Sequence, residues 1–217
     1  MIPKTIHQIW IGNAEMPERE RSFCQNVVAM HPDWNYVFWD NESIKKLNPI
    51  YLAKMKKIAM HTNTPSFVVD YLKFVLLYEF GGLFLDVDFE MKNSLNKLDL
   101  SKKMILTFDN SFGKRGLQFC FAASQQKHEF VEYSLFHKEN SKELFYFASL
   151  NRFFKQFYFK KIREIHNIES VNFNNCEKYL NDVQILDRNY FFHGGIAKHH
   201  YLHSHRPHKK ALFTIDL

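Results

Sequence analysis

The sequence is poor in cysteine, in long apolar runs and in acidic charge. Cys24, Cys120 and Cys176 are its three cysteines, and they have the spacing of neither a metal site nor a disulfide framework, which favours a reducing compartment. No apolar run approaches the roughly 20 residues that a membrane-spanning helix needs, and the N-terminus starts with a strand pattern instead of a signal peptide. We therefore expect a cytoplasmic protein, peripheral at most at the inner face of the membrane.

The shortage of acidic residues leaves a net charge of +6 at pH 7. Such a charge predicts anionic partners, which composition alone leaves open among nucleotide diphosphates, lipid head groups and nucleic acid. A length of 217 residues, with 46% hydrophobic and 24% charged residues, is typical of a single globular domain with a sizeable core.

The most informative stretch joins an apolar helix to a short buried strand. Pro65, flanked by Thr64 and Ser66, is a helix-start signal, and the predicted helix then runs from Phe67 to about Phe80. It ends at Gly81-Gly82, because glycine accepts the left-handed conformation that terminates helices. The following segment, Leu83 to Val87, is too short and too apolar for a surface helix, which predicts a central strand covered on both faces.

This predicted strand ends in two acidic residues separated by one valine. Alternation along a strand would place Asp86 and Asp88 on the same side. Paired carboxylates repel unless a cation or proton lies between them, and Mg²⁺ or Mn²⁺ is the simplest solution. An isolated Asp-X-Asp is more often a solvated turn or a cap, but Asp70 and Lys73 lie at i and i+3 on the preceding helix and could approach the pair.

The N-terminal third has the order of a nucleotide-binding α/β sheet. Residues 5–11 predict a first strand, 17–30 a helix and 36–39 a second strand, and ligands of such sheets lie beyond the carboxyl ends of the strands. Asp40 follows the second strand, where it could contact base or ribose or could equally cap a helix at 42–47. Taken alone, Trp10 at the end of the first strand would be expected in the core.

Two groups of motifs resemble glycosyltransferase family 32. They are the central run Asp70–Lys73, Leu77–Gly82 and Leu85–Asp88, and the N-terminal run Ile2–Gly12. The resemblance implies an α/β, GT-A-like fold: a Rossmann-related mixed sheet flanked by helices in one domain, residues 1–217. Residues 1–125 would form the nucleotide-sugar-binding core, with the DXD motif at 86–88, and residues 126–217 the acceptor-side helices and a C-terminal lid.

The same resemblance implies roles for individual residues. Asp70, Lys73, Asp86 and Asp88 would be catalytic. A divalent metal, Mn²⁺ or Mg²⁺, would be held by Asp86, Asp88 and His200. The donor would contact Ile9, Trp10, Asp40, Gly82, Phe84, Asp86, His200 and Ser204, with Trp10 stacking on the base.

Three positions depart from the family pattern. Lys73 stands where arginine is usual, and a lysine cannot make the bidentate fork of a guanidinium. Phe84 replaces a tyrosine, and His205 replaces a tryptophan in the histidine-rich tail 197–210, which the resemblance identifies as a lid over the diphosphate.

The resemblance implies transfer of a hexose with retention. Front-face substitution is expected, because no carboxylate can be assigned from the sequence as a covalent nucleophile. The donor would be a nucleotide-diphosphate sugar, with a UDP-sugar favoured and GDP-mannose also fitting. The acceptor would be a surface polysaccharide, as in capsule or lipopolysaccharide, or a glycolipid, and no nucleic acid is expected as a partner. Two alternatives are a haloacid-dehalogenase-like phosphatase, in which Thr107 would mimic a second motif, and a non-catalytic basic protein that binds a membrane or nucleic acid.

Two basic segments have open interpretations. The stretch 144–163 carries six phenylalanines and two tyrosines among five basic residues, which suits either core packing or an interfacial segment on an anionic membrane. Residues 50–60 predict a basic amphipathic helix with a solvated face. The remaining predicted elements are strands at 104–108, 117–122 and 183–186 and a helix at 128–138.

Overall fold

The computed structural model describes residues 1–62, 65–109, 116–136, 147–187 and 195–200, which form a mixed sheet flanked by helices. The strands are β1 (Thr5–Ile9), β2 (Asn35–Trp39), β3 (Gly82–Leu85), β4 (Phe89–Met91), β5 (Met104–Asp109), β6 (Gly116–Ser124), β7 (Val183–Asp187) and β8 (Ala197–His199). The α-helices are α1 (Glu18–Met30), α2 (Asn41–Ile44), α3 (Pro49–Thr62), α4 (Pro65–Phe80), α5 (Glu129–Phe136), α6 (Phe147–Phe154) and α7 (Lys160–His166).

Six strands form the central sheet in the order β2-β1-β3-β6-β5-β7. Strand β1 pairs in parallel with β2 and β3, β6 runs antiparallel to both β3 and β5, and β5 is parallel to β7. A separate two-stranded sheet pairs β4 antiparallel with β8. The predicted α/β class and mixed sheet are confirmed.

Alternation along β3 divides the core into two layers. Leu83 and Leu85 face the layer that contains Val27 of α1 and the small β4-β8 sheet. Phe84 faces the layer formed by α3, α4 and the helices after β6. Because every residue of β3 is buried, the prediction of a strand covered on both faces is confirmed.

The glycine pair ends α4 as predicted. Gly81 and Gly82 have φ of +64° and +87°, values that L-residues with side chains rarely adopt. Gly82 also allows close strand approach, because a Cβ built on it would lie 2.6 Å from the Thr5 carbonyl oxygen of the parallel β1. The helix begins at Pro65, two residues before the predicted Phe67.

The aromatic stretch packs largely in the core. Phe153, Phe154, Tyr158 and Phe159 are buried, in the continuous helical segment formed by α6, a π-helical turn at Lys155–Phe159 and α7. Core packing therefore accounts for these four aromatic side chains. Residues 144–146 lie outside the described part of the chain.

The other predicted elements lie near their expected places. Strands β5, β6 and β7 and helix α5 overlap the predicted segments, and α3 is the predicted basic helix. Of the histidine-rich tail, residues 197–200 are described and β8 occupies 197–199, whereas 201–217 lie outside the described residues. No helix in the described ranges has the length and apolarity to span a membrane.

Candidate metal and donor site

A buried lysine on α4 joins the helix to the acidic turn. The Lys73 ammonium lies 3.0 Å from Asp70 Oδ1 on its own helix and 3.0 Å from Asp86 Oδ1 after β3. Its nitrogen also lies 4.5 Å from the centre of the Phe84 ring, at a distance where a cation is attracted to the ring face. The i, i+3 spacing of Asp70 and Lys73 thus brings both to Asp86, as expected from the sequence.

Charge on this lysine is stabilised by its two carboxylate neighbours. Burial opposes the charged form, but Asp86 and Asp70 outweigh it and raise the pKa of Lys73 above its ordinary value. Burial raises the pKa of Asp86; the Lys73 ammonium opposes this effect, and the Asp88 carboxylate adds to it. The carboxylates of Asp86 and Asp88 thus have one ammonium, that of Lys73, beside them. The remaining negative charge suits a bound cation.

The acidic pair lies in a turn and not on a strand, so the prediction of a strand to Val87 is wrong in this detail. Strand β3 ends at Leu85. The Asp86 N–H donates to the Cys120 carbonyl at 2.9 Å, and the Asp86 carbonyl accepts from Phe89 N–H at 3.4 Å. The turn, instead of strand alternation, brings the Asp86 and Asp88 carboxylates to one place.

The small β4-β8 sheet adds a histidine to the pair. His199 pairs with Phe89 in the β4-β8 register, and the two rings stack with centroids 4.4 Å apart. His199 Nε2 lies 3.0 Å from Asp88 Oδ1. One ligand atom from each of Asp86, Asp88 and His199 lies within 4.8 Å of the others.

His200, the expected third ligand, occupies a different position. Its Nε2 lies 3.0 Å from Glu90 Oε2 and its Nδ1 2.8 Å from Arg19 Nη2, and its ring stacks on Phe23 at 4.7 Å. Successive side chains of an extended segment point to opposite sides, so only one of two adjacent histidines can face Asp88. The structure therefore corrects the histidine of the carboxylate cluster from His200 to His199.

Trp10 lies directly beside the acidic turn. It is buried in a small cluster with Val87 and with Cys24 of α1, and its Nε1–H donates to the Ala14 carbonyl at 2.8 Å. The sequence predicted base stacking for Trp10, with core packing as its ordinary alternative. The structure places it next to the DXD turn, in contact with the residue between the two aspartates.

Four other residues that were expected to contact the donor make contacts within the fold. Asp40 Oδ1 accepts from Glu42 and Ser43 N–H at 3.1 and 2.8 Å and caps α2, the alternative that the sequence left open. Phe84 is fully buried beneath Lys73, so any influence on a donor passes through the lysine. Ile9 is a core residue, and the close contact of Gly82 is with β1.

Other residues of the site escaped prediction, and some predicted ones lie outside the described ranges. His199 was noticed only as part of a histidine-rich tail. The β4-β8 register, which identifies it, depends on pairing segments more than a hundred residues apart. Arg19 and Glu90 gave no sequence signal of their contact with His200. Ser204 and His205 lie outside the described residues.

The fold resembles solved glycosyltransferases. The PaToxG glycosyltransferase matches with a TM-score of 0.62 and 14% identity, over 76% of this chain and 73% of that chain. The mixed sheet and the acidic turn at the end of a central strand therefore define a GT-A-like glycosyltransferase fold. Residues 17–105 match the family described as the glycosyltransferase sugar-binding region containing a DXD motif, and the predicted relationship to DXD-motif glycosyltransferases is confirmed.

Named relatives match over part of their length. Inositol phosphoceramide mannosyltransferase 3 of Schizosaccharomyces pombe is 31% identical over 101 residues, which are 45% of this chain and 27% of that protein. An uncharacterized glycosyltransferase of Acanthamoeba polyphaga mimivirus is 27% identical over 139 residues, 61% of this chain and 47% of that protein. The chain thus spans about a quarter to a half of the length of these two relatives.

Proposed function

We propose that the protein is a metal-dependent, retaining glycosyltransferase that moves a hexose from a nucleotide-diphosphate sugar to a saccharide or lipid-linked saccharide. The observation that carries this proposal is the convergence of Asp86, Asp88 and His199 at the carboxyl end of β3, beside the Asp70–Lys73 pair. The relationship to DXD-motif glycosyltransferases supports this proposal. It also favours a glycosyltransferase over the alternative of a phosphatase.

The chemistry of the three side chains fits Mn²⁺ or Mg²⁺. Carboxylate oxygens suit hard divalent cations, and one imidazole nitrogen is well accepted by Mn²⁺. The ligand atoms lie within 4.8 Å of one another, a spacing that a single ion could bridge with small adjustments. When bound, such an ion would neutralise the diphosphate leaving group as a Lewis acid.

Lys73 and Asp70 would organise the donor side of this site. Lys73 is buried between two carboxylates, so we assign it the role of fixing Asp86 instead of contacting the donor directly. Asp70 retains a partly exposed carboxylate, 17% accessible, which can accept hydrogen bonds from hydroxyls of the donor sugar. The two residues would thereby couple sugar position to the geometry of the metal ligands.

Trp10 would form one wall of the base site. Its contact with Val87 places the indole beside the acidic turn, and the adjoining segment up to Gly12 is held by Asn41, whose Oδ1 accepts from Gly12 N–H at 2.9 Å. A planar base could stack there after a modest movement of the side chain. We retain a UDP-sugar as the favoured donor, with GDP-mannose as the alternative.

Retention by front-face substitution is supported by the contacts that the carboxylates of the site already make with lysine and histidine side chains. Asp70 and Asp86 share Lys73, Asp88 pairs with His199, and Glu90 pairs with Lys92 and His200. Each of these groups already has a cationic or histidine partner, which reduces its nucleophilicity. The leaving phosphate would then assist departure and attack on the same face.

The names of the relatives suggest a sugar and an acceptor class. A mannosyltransferase named for inositol phosphoceramide is among them, which supports the alternative donor GDP-mannose and makes a lipid-linked acceptor part of the proposal. Polysaccharides such as capsule and lipopolysaccharide remain the alternative acceptors from the sequence.

The test is a thermal-shift panel of UDP- and GDP-sugars with and without Mn²⁺. We expect one nucleotide sugar to raise the melting temperature only when the metal is present, and Asp88→Asn to remove that response. Stabilisation by no nucleotide sugar would overturn the proposal. With an active donor, NMR of the product should show the anomeric configuration of the donor, and an inverted linkage would exclude front-face retention.

A further inference from the structure

One segment of the chain is rich in lysine and contains no acidic residue. From Ser43 to Val69 the sequence has five lysines, no arginine and no acidic residue. This segment of 27 residues therefore carries five of the six net positive charges of the protein, and the rest of the chain is almost balanced. Residues 144–163 carry five basic and no acidic residues as well, so the two segments are compared directly by the variants below.

Helix α3 forms the centre of this segment and has two different sides. Tyr51, Met55 and Ile58 are buried against the core, whereas Ile50 and Met60 are 69% and 84% exposed. These two are the most exposed large apolar side chains of the described residues after Met1. Transfer of such side chains from water into an apolar phase is favourable.

The exposed apolar residues lie on the same face as the lysines. At 3.6 residues per turn, Ile50, Ala53, Lys57 and Met60 fall on one stripe, with the outer two about 15 Å apart. Lys56 lies on one edge of the stripe and is exposed. Lys54 lies on the other edge, and its pKa is lowered by partial burial and by the Lys57 ammonium. Apolar residues flanked by lysines are the pattern of a helix that lies in a membrane interface.

Helix α4 connects the exposed face of α3 to the candidate metal and donor site. Tyr51, near the start of α3, hydrogen-bonds Glu79, near the end of α4, so the two helices run antiparallel. Met60 is therefore at the end of α3 that adjoins the beginning of α4. Asp70 lies in that half of α4 and Lys73 at its middle, so α4 connects the C-terminal end of α3 to the site.

We propose that the outer face of α3 docks on an anionic phospholipid bilayer, with Ile50 and Met60 entering the acyl boundary and the lysines contacting the head groups. The benefit of this docking, delivery of a lipid-linked acceptor, rests on the proposed function. Nucleic acid could use the lysines but gains nothing from the two apolar side chains. From the sequence, the 144–163 stretch suited either such a role or core packing, and α3 was expected to have a solvated face; the structure puts four aromatics of that stretch in the core.

The experiment is flotation of the full chain with vesicles of phosphatidylcholine alone and of phosphatidylcholine mixed with phosphatidylglycerol. We expect binding to the mixed vesicles only. Lys56→Gln/Lys57→Gln should weaken it by roughly tenfold or more, since each lysine near an anionic surface contributes about 1 kcal/mol. Ile50→Ser/Met60→Ser should weaken binding without changing its dependence on phosphatidylglycerol.

The matched controls lie on α7. Lys160→Gln/Arg163→Gln removes two exposed charges, and Ile165→Ser removes an apolar side chain that is 65% exposed; neither should reduce flotation. Equal losses from the α7 variants, or no flotation of the wild type, would overturn the proposal. So would tighter binding to duplex DNA than to mixed vesicles. Flotation is measured without metal or nucleotide sugar, so its outcome is independent of the donor-binding test.

Discussion

The ammonium of Lys73 and the carboxylate of Asp86 lie 3.0 Å apart, and this contact ties α4 to the acidic turn. The lysine side chain is only 5% exposed, so its charge depends on its two carboxylate partners. The contact makes the geometry of the turn sensitive to a residue that is itself hidden from solvent.

Removing the charge of Lys73 should destabilise the protein. Lys73→Met would leave Asp70 and Asp86 without their shared cation, and we expect the free energy of unfolding to fall by about 2 kcal/mol, below the full value for a buried pair because both carboxylates are partly exposed. Urea denaturation measures this. Lys103→Met is the matched control, because its bridge to Asp182 is about half exposed and should contribute less than about 1 kcal/mol. Equal effects would contradict the assigned role of Lys73.

The two adjacent histidines should differ in their effect on metal binding. His199→Ala should weaken Mn²⁺ binding by at least about tenfold, because it removes one of three ligand side chains, whereas His200→Asn should change it less. Electron paramagnetic resonance of bound Mn²⁺ gives both affinities directly. A larger loss for His200→Asn would restore the assignment made from sequence.

Acid should weaken the fold through a buried histidine near the glycine pair. His7 Nε2–H donates to the Gly81 carbonyl at 2.9 Å and its Nδ1 accepts from Trp39 Nε1–H at 3.1 Å, an arrangement that requires the neutral ring. Burial lowers the pKa of His7 from 6.5 to about 4, against the opposing hydrogen bond to Gly81.

The sign of the pH effect follows from this pKa. Because the unfolded chain takes up a proton below 6.5 and the folded chain resists until about 4, stability is full above the first value and falls as pH drops towards the second. We expect a loss of about 2 kcal/mol between neutral pH and about pH 5 from His7. Urea titrations at both pH values measure it. His7→Gln should make the free energy of unfolding less dependent on pH, and an unchanged pH dependence would exclude His7 as its source. His128, whose pKa is also lowered to about 4, contributes to the pH dependence of the wild type.

The second glycine after α4 should not tolerate a side chain. Gly82→Ala would combine a φ of +87° with a Cβ 2.6 Å from the Thr5 carbonyl oxygen, and we expect a loss of about 2 kcal/mol or more. Gly116→Ala is a milder control, because its Cβ would meet only the Asn151 side chain at 3.1 Å. Thermal unfolding of both variants tests this, and equal melting temperatures would contradict it.

Local signals in the sequence were sufficient for much of the fold. The Pro65 start and the Gly81-Gly82 end of α4 are set by the conformational limits of those residues, and the short apolar run after them favours a buried strand. The Asp86–Asp88 pair was found from its context, because Asp70 and Lys73 precede it and the surrounding motifs resemble glycosyltransferase family 32.

Long-range pairing explains what the sequence did not reveal. The choice of His199 over His200 depends on the β4-β8 register, which no local pattern encodes. Burial of Lys73 likewise depends on how α4 packs on β3, and its ion pairs with Asp70 and Asp86 could not be read from the sequence. The aromatic stretch was ambiguous because core and interfacial helices use the same residue types.

The pairing of β4 with β8 has a consequence for the order in which the protein matures. Asp86 and Asp88 are synthesised long before His199, so a growing chain holds the two adjacent carboxylates before their histidine neighbour exists. The central sheet includes β7 but not β8, so completion of that sheet does not by itself complete the cluster. The three side chains can come together only after β8 has been synthesised and has paired with β4.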